Sequence, residues 1–319
     1  MHVEVGAGKR VCKGYRMGYD PRTQRELHSM LLPGTVCMIL FSILPLFGLI
    51  IAFTNFKASM GWEGIFTSKW NDFRNFKQVF ASSQFWPMIR NTLGINILGQ
   101  MLCLPMAVLF ALLLNEITSY KRKSIVQTAT YLPHFLSWAI YGGLLKTLLS
   151  ADGGAINQIL AFVGAIDKPK EWLADPNYFW LISILSGLIK DLGWSAIIYL
   201  AAIAGVDPTM YEAVEIDGGN RYHKMLHVTV PAIAPTVMVM IIFAVSGILN
   251  NNFTQVYILQ NSLNMSASNV IDTYIYQMGM QQFQFGIATA AGLTKAVFAL
   301  ALLVGANWSS KKLTDHALY

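Results

Sequence analysis

Residues 31–53 read LLPGTVCMILFSILPLFGLIIAF, an apolar run without a charged side chain. A hydrocarbon layer about 30 Å thick takes about 20 helical residues to cross, at about 1.5 Å per residue. The run reaches that length and predicts a membrane-spanning helix. Its apolar stretch is too long for a cleaved signal peptide, and no small-residue cleavage site precedes Asn55, so it is expected to remain as an anchor.

The same criterion predicts spans at residues 86–114, 126–149, 179–204, 232–259 and 285–308. The expected fold is therefore an all-α polytopic membrane protein of about six transmembrane helices. Composition agrees: 54% of the 319 residues are hydrophobic and 13% are charged, and mean hydropathy is +0.45. A soluble domain would alternate its apolar runs with charged faces. Pro45, Pro105 and Pro235 lie inside or near spans, where neighbouring groups can satisfy the carbonyls they release.

Short loops rich in Lys and Arg are retained on the inner side. Lys9, Arg10, Lys13, Arg16, Arg22 and Arg25 precede the first span, Lys121, Arg122 and Lys123 follow the second, and Lys311 and Lys312 follow the sixth. Both termini are expected in the cytoplasm, as a tail over 1–30 and a tail over 309–319 around a transmembrane domain over 31–308. The bias is a majority, because Lys57, Lys69, Arg74 and Lys77 follow the first span on the outer side. The net charge of +6 is accounted for by the inner loops, without a nucleic-acid partner. Residues 55–85, with Phe66, Phe73, Phe76, Trp62 and Trp70, read either as an aromatic belt at the outer interface or as a docking surface.

The most informative loop is residues 205–231, GVDPTMYEAVEIDGGNRYHKMLHVTVP. Asp207 before Pro208 is a helix start signal, and residues 211–217 predict a short helix stopped by Gly218 and Gly219. A second short helix is expected over 221–228, ending before Pro231. Two short amphipathic helices around a glycine turn suit a groove on another protein, although a plain connection has the same pattern.

Other motifs fail on inspection. The run Gly6-Ala7-Gly8-Lys9 has Val3 where a phosphate loop needs its first glycine and Arg10 where it needs Ser or Thr. His223 and His227 are one helical turn apart but share their loop with no further His or Cys, so no metal is expected. Cys12, Cys37 and Cys103 show no metal or redox spacing. No catalytic residue is expected: there is no GxSxG motif and no necessary carboxylate pair.

Glu212, Ala213 and Val214, then Gly218, then Val228, Val230 and Pro231 resemble the EAA loop of binding-protein-dependent ABC importer permeases. That loop is Glu-Ala-Ala, three residues, Gly, nine residues and Ile-x-Leu-Pro, and the spacing here is the same, with valine at 214, 228 and 230. ALLLNE (111–116), YLPHFLSW (131–138), GWSAIIYLAAIAGVDP (193–208) and VIDTYIY (270–276) extend the resemblance to permeases of polysaccharide-type carbohydrate importers. The resemblance implies a bacterial inner-membrane subunit that translocates a sugar or oligosaccharide and binds no cofactor itself. ATP with magnesium would sit on a separate cytoplasmic ATPase dimer. A second, non-identical permease and an external solute-binding protein would complete the assembly. Glu212 and Ala213 would engage the ATPase, Gly218 would allow the turn, and Pro231 would begin the fifth helix. The alternatives are an importer of another polar solute, or an ion-coupled secondary transporter, which would need more intramembrane acids than Asp191.

For the substrate path, Asn250, Asn251, Asn252, Gln255 and Tyr257 interrupt the fifth span with amides and an aromatic face, and Tyr274 and Gln277 are expected at the mouth of the next outer loop. Interhelical hydrogen bonding is the plainer use of such residues. Lys146, Lys190, Asp191 and Lys295 fall within predicted spans, where a charge needs a partner or water. Lys146 is expected to extend to the interface, Asp191 to pair with Lys295, and Lys190 to face a wet path or the second permease.

Overall fold

In the computed structural model the described residues are 21–314, and they form two compact units divided between Ile50 and Ile51. The tail residues Lys9 to Arg16, the Gly6–Lys9 run and Cys12 lie outside the described residues. Five helical stretches within the described residues are long and apolar enough to cross a membrane: Arg25–Phe53, Phe85–Asn115, Pro176–Ala204, Arg221–Ser246 and Phe285–Gly305. Among the described residues there is no β-sheet, only one isolated bridge between Thr54 and Trp70.

The first unit is helical from Pro21, upstream of the boundary expected at Leu31, with Pro33 inside the helix. Two departures follow, a π turn at Ile39–Ile43 and a 3-10 stretch from Leu44. Local winding of this kind absorbs proline within an apolar helix.

In the second unit, Phe85–Asn115 and Pro176–Ala204 pack along much of their length. Ile95 shares an apolar cluster with Phe179, and Ala107, Ala111 and Leu112 share another with Ala196, Tyr199 and Ile203. The two helices therefore run parallel, with residues 205–231 at one end and residues 54–81 and 150–175 at the other. The small alanines allow the helix backbones to approach where no hydrophobic drive exists between them in lipid.

The third expected span, 126–149, is not one helix. It comprises Tyr120–Phe135 and Trp138–Leu149, divided at Leu136, where the backbone is extended. Pro133 removes a donor at the end of the first piece, and Ser137 caps the second by accepting from the Ile140 amide at 3.4 Å.

The fifth expected span, 232–259, is also interrupted. The helix begins at Arg221, passes through a π turn at Met225–Thr229, and ends at Ser246. Phe253–Leu259 is a separate short helix, so Asn250, Asn251 and Asn252 occupy the break. The last helix continues past Trp308 to Thr314.

Candidate functional site

At the 205–231 end, Asp207 is the N-cap of Pro208–Ile216, its carboxylate accepting from the Thr209 amide at 2.9 Å. Proline at the first helical position costs no hydrogen bond there. Donation from the Thr209 backbone first, then from its side chain, holds the Asp207 carboxyl below the usual carboxylate range.

The turn after the helix uses two glycines differently. Gly218 has φ +75°, a left-handed conformation that glycine adopts without strain. At Gly219 a Cβ would lie 2.4 Å from Val214 Cγ1 and 2.9 Å from the Val214 carbonyl oxygen, so the backbone passes too close for any side chain. Asn220 then caps the next helix, accepting from the His223 amide at 3.1 Å, while His223 Nδ1 returns to the Asn220 amide at 3.3 Å. Lys224 pairs with Glu215 across the turn. Tyr211 Oη and Thr229 Oγ1 lie 3.1 Å apart, fixing the short helix against the π turn.

This element is fastened at its base and open at its tip. Val228 and Thr229 are buried, whereas Glu212, Ala213 and Gly218 are exposed, with Met210, Ile216, Tyr222 and Leu226 beside them. Glu212 has no ion pair or side-chain hydrogen bond among the described residues. The second short helix does not stop before Pro231 but continues into the Val230–Ser246 stretch, which carries Pro231 in its first turn. The π turn shifts the hydrogen-bond ladder and the helix runs on through it.

His223 and His227 stack with ring centroids 5.9 Å apart, and among the described residues no group of three or more His, Cys, Asp or Glu could hold a metal.

The expected pairing of Asp191 with Lys295 is not formed. Asp191 Oδ1 lies 2.7 Å from His134 Nδ1, and Lys295 Nζ lies 2.5 Å from Asp272 Oδ1. Lys190 is 4% exposed and faces neither water nor a second chain. Its ammonium donates to the carbonyls of Pro133, His134 and Leu136 at 2.9, 2.7 and 2.7 Å. A cation on the C-terminal carbonyls of the broken helix satisfies orphan acceptors and complements the helix dipole. Lys146 is exposed in the last turn of its helix, as snorkelling requires.

The substrate-path candidates divide. Gln255 is buried and donates to the Ser183 carbonyl at 2.6 Å and to Ser186 Oγ at 3.1 Å, tying the short helix to Pro176–Ala204. Tyr274 is buried in an apolar cluster with Phe85 and Met88 and lines no mouth. Asn251 donates to Asn96 Oδ1 at 3.2 Å, and Asn252 caps Phe253–Leu259. Asn250, Asn252 and Tyr257 are exposed, and Gln277 shares with Tyr257, Lys146 and Gln260 a cavity of about 470 Å³.

Two further groups belong to this surface. Phe253 and Tyr276 pack against Tyr257 at 5.4 and 5.1 Å. His134 stacks on Trp194 at 4.4 Å beside Asp191, presenting a half-exposed ring plate flanked by a carboxylate. Such aromatic faces bordered by polar groups suit saccharide rings. Helical spacing of Phe253 and Tyr257 was a usable signal for the first group, whereas the His134 contact joins separate helices.

A family profile described as the binding-protein-dependent transport system inner membrane component matches residues 32–315. The chain belongs to this family. As a permease subunit of an ABC importer it moves substrate across the inner membrane, in several passes, while ATP hydrolysis occurs on a separate subunit. The polygalacturonan/rhamnogalacturonan transport system permease protein YteP of Bacillus subtilis (strain 168) is 38% identical to this permease, over 93% of the chain and 91% of the relative. Protein LplB of the same organism is 36% identical, over 93% and 92%. A crystal structure of a bacterial ABC transporter involved in the import of the acidic polysaccharide alginate contains a chain that superposes with a TM-score of 0.83 at 35% identity, covering 92% of this permease and 97% of that chain. The alginate transporter bound to its alginate pentasaccharide-bound periplasmic protein gives a TM-score of 0.83 at 34% identity, over 93% and 98%.

Proposed function

We propose that this permease forms, with a second, non-identical permease, the path by which an oligosaccharide of acidic-polysaccharide origin enters the cell. A solute-binding protein delivers the oligosaccharide from outside, and two cytoplasmic ATPase subunits hold ATP and magnesium. Closure of the ATPases pushes on the 205–231 element and converts the path from inward-facing to outward-facing. Both chain termini lie on the ATPase side.

The observation that carries this reading is the 205–231 element itself. Its helix is capped, its turn is fixed by two glycines, its base is buried, and Glu212 stands exposed at its tip. The chain has one such element where a dimeric motor needs two, which calls for a second permease. The relatives serving polygalacturonan/rhamnogalacturonan and alginate support an acidic saccharide as cargo, and the rings of Phe253, Tyr257, Tyr276 and Trp194 offer it stacking faces.

Co-expression of the permease with candidate ATPase and permease subunits tests the assembly. A complex with one copy of each permease and two ATPase subunits is expected, and a stable complex with two copies of this chain and full stimulated transport would contradict it.

A further inference from the structure

At the end of the helices away from the 205–231 element, residues 54–59, 74–78 and 283–287 surround a pocket of about 470 Å³. Its charged lining is Lys57 and Arg74, with amides from Asn75, Gln78 and Gln284 and no carboxylate. Neither cation has an ion pair or side-chain hydrogen bond among the described residues. Thr54, also in the lining, is 5% exposed, and its Oγ1 has no hydrogen-bond partner.

The pocket is built rather than incidental. Asn75 Nδ2 donates to the carbonyls of Ala52 and Thr54 at 3.0 and 3.2 Å, joining the Arg74–Ala81 helix to the end of the preceding segment. Gly286 admits that amide, since a Cβ there would lie 2.5 Å from Asn75 Nδ2. Phe283 forms part of the lining with φ +55°, a left-handed conformation that is strained for an aromatic residue, and it is 66% exposed. Such strain gathers at functional surfaces.

Unpaired cations at this end oppose the bias that keeps Lys and Arg inside. Between residues 54 and 81, Lys57, Lys69, Arg74 and Lys77 outnumber Glu63 and Asp72. Two cations, an orphan hydroxyl and the amides of Gln78 and Gln284 fit a carboxylate, which Arg can hold through two hydrogen bonds. Exposed Phe283 and Arg74, in the lining of the same pocket, are residue types that anchor protein interfaces.

We propose that this pocket receives an aspartate or glutamate side chain from a surface loop of the solute-binding protein, fixing that protein over the outer end of the path. The inference rests on the importer reading above and assigns its outer docking contact.

The test uses the complete importer in lipid nanodiscs, with Lys57→Glu, Arg74→Glu and the double variant. The readout is the concentration of saccharide-loaded binding protein that half-maximally stimulates ATP hydrolysis. The double reversal is expected to raise it about tenfold or more, with basal hydrolysis and maximal stimulation retained. In the unsubstituted importer it should rise with salt, and the variant should lose that dependence. A single Asp/Glu→Lys change on the binding protein is expected to restore docking to the double variant.

An unchanged half-stimulating concentration overturns the proposal. A shift seen only with anionic lipids assigns the pocket to a headgroup, and a shift only in the saccharide concentration required assigns it to cargo; either overturns it too. If the unsubstituted chain forms no ATP-hydrolysing complex, the importer reading fails first, which is distinguishable from failed docking by a formed complex.

Discussion

Lys295 Nζ lies 2.5 Å from Asp272 Oδ1, with side chains 16% and 19% exposed, so the last helix is tied to the short Ile271–Tyr276 helix rather than to Asp191. Breaking a largely buried pair leaves one charge uncompensated, at about 3 kcal/mol. Asp272→Asn and Lys295→Met are each expected to lower the melting temperature of the purified importer, and the exchanged pair Asp272→Lys with Lys295→Asp to recover much of it. Asp191→Asn combined with Lys295→Met should be additive, since the two sites have separate partners. Strong non-additivity between positions 191 and 295 would show that the partners are assigned incorrectly.

Lys190 offers a second test. Replacing it with Met keeps the apolar stem but leaves three carbonyls at the Tyr120–Phe135 helix end without their donor, a loss of about 1–3 kcal/mol. Thermal denaturation in detergent should show it. Equal stability of Lys190→Met would mean that water or a backbone shift satisfies those carbonyls.

The apolar runs made five of the six expected spans legible, because the bilayer imposes a minimum length, whereas 126–149 is divided at Leu136. The first helix and the glycine turn of the 205–231 element were legible as well, since caps and glycines act locally, whereas the continuation of the second helix through the π turn was not. The breaks at Leu136 and at Asn250 were hidden, because composition stays apolar or uncharged through them. Partner choice for Asp191, Lys190 and Lys295 depends on which helices meet, and hydropathy carries no such information. The same applies to Gln255 and Tyr274, whose amide and phenol suggested a wet path while packing placed both inside.

The two glycines of the turn should respond differently to alanine. Gly218→Ala meets open space and carries only the cost of a left-handed backbone, about 1 kcal/mol. Gly219→Ala forces Val214 and its carbonyl to move. The expected order for loss of ATP-coupled uptake, at unchanged membrane insertion, is Gly219→Ala above Gly218→Ala. The reverse order would contradict the geometry of the turn.

Asp207 gives the coupling element a pH response. Its folded pKa is depressed, so its contribution is present above the unfolded value of about 3.9 and is lost as pH falls through the folded value. Asp207→Asn retains a capping oxygen without titrating. Acid-side unfolding of the variant should lose that component, and identical pH profiles would remove Asp207 from the account.

The most direct test of the account is uptake of a labelled uronate oligosaccharide into proteoliposomes holding this permease, its partner permease, the ATPases and the loaded binding protein. Uptake is expected to require ATP and the binding protein. Glu212→Ala, at the exposed tip of the Asp207-capped helix, is expected to abolish uptake in a fully assembled complex. Uptake driven by an ion gradient without ATP, or undiminished in the Glu212→Ala complex, would contradict coupling through the 205–231 element.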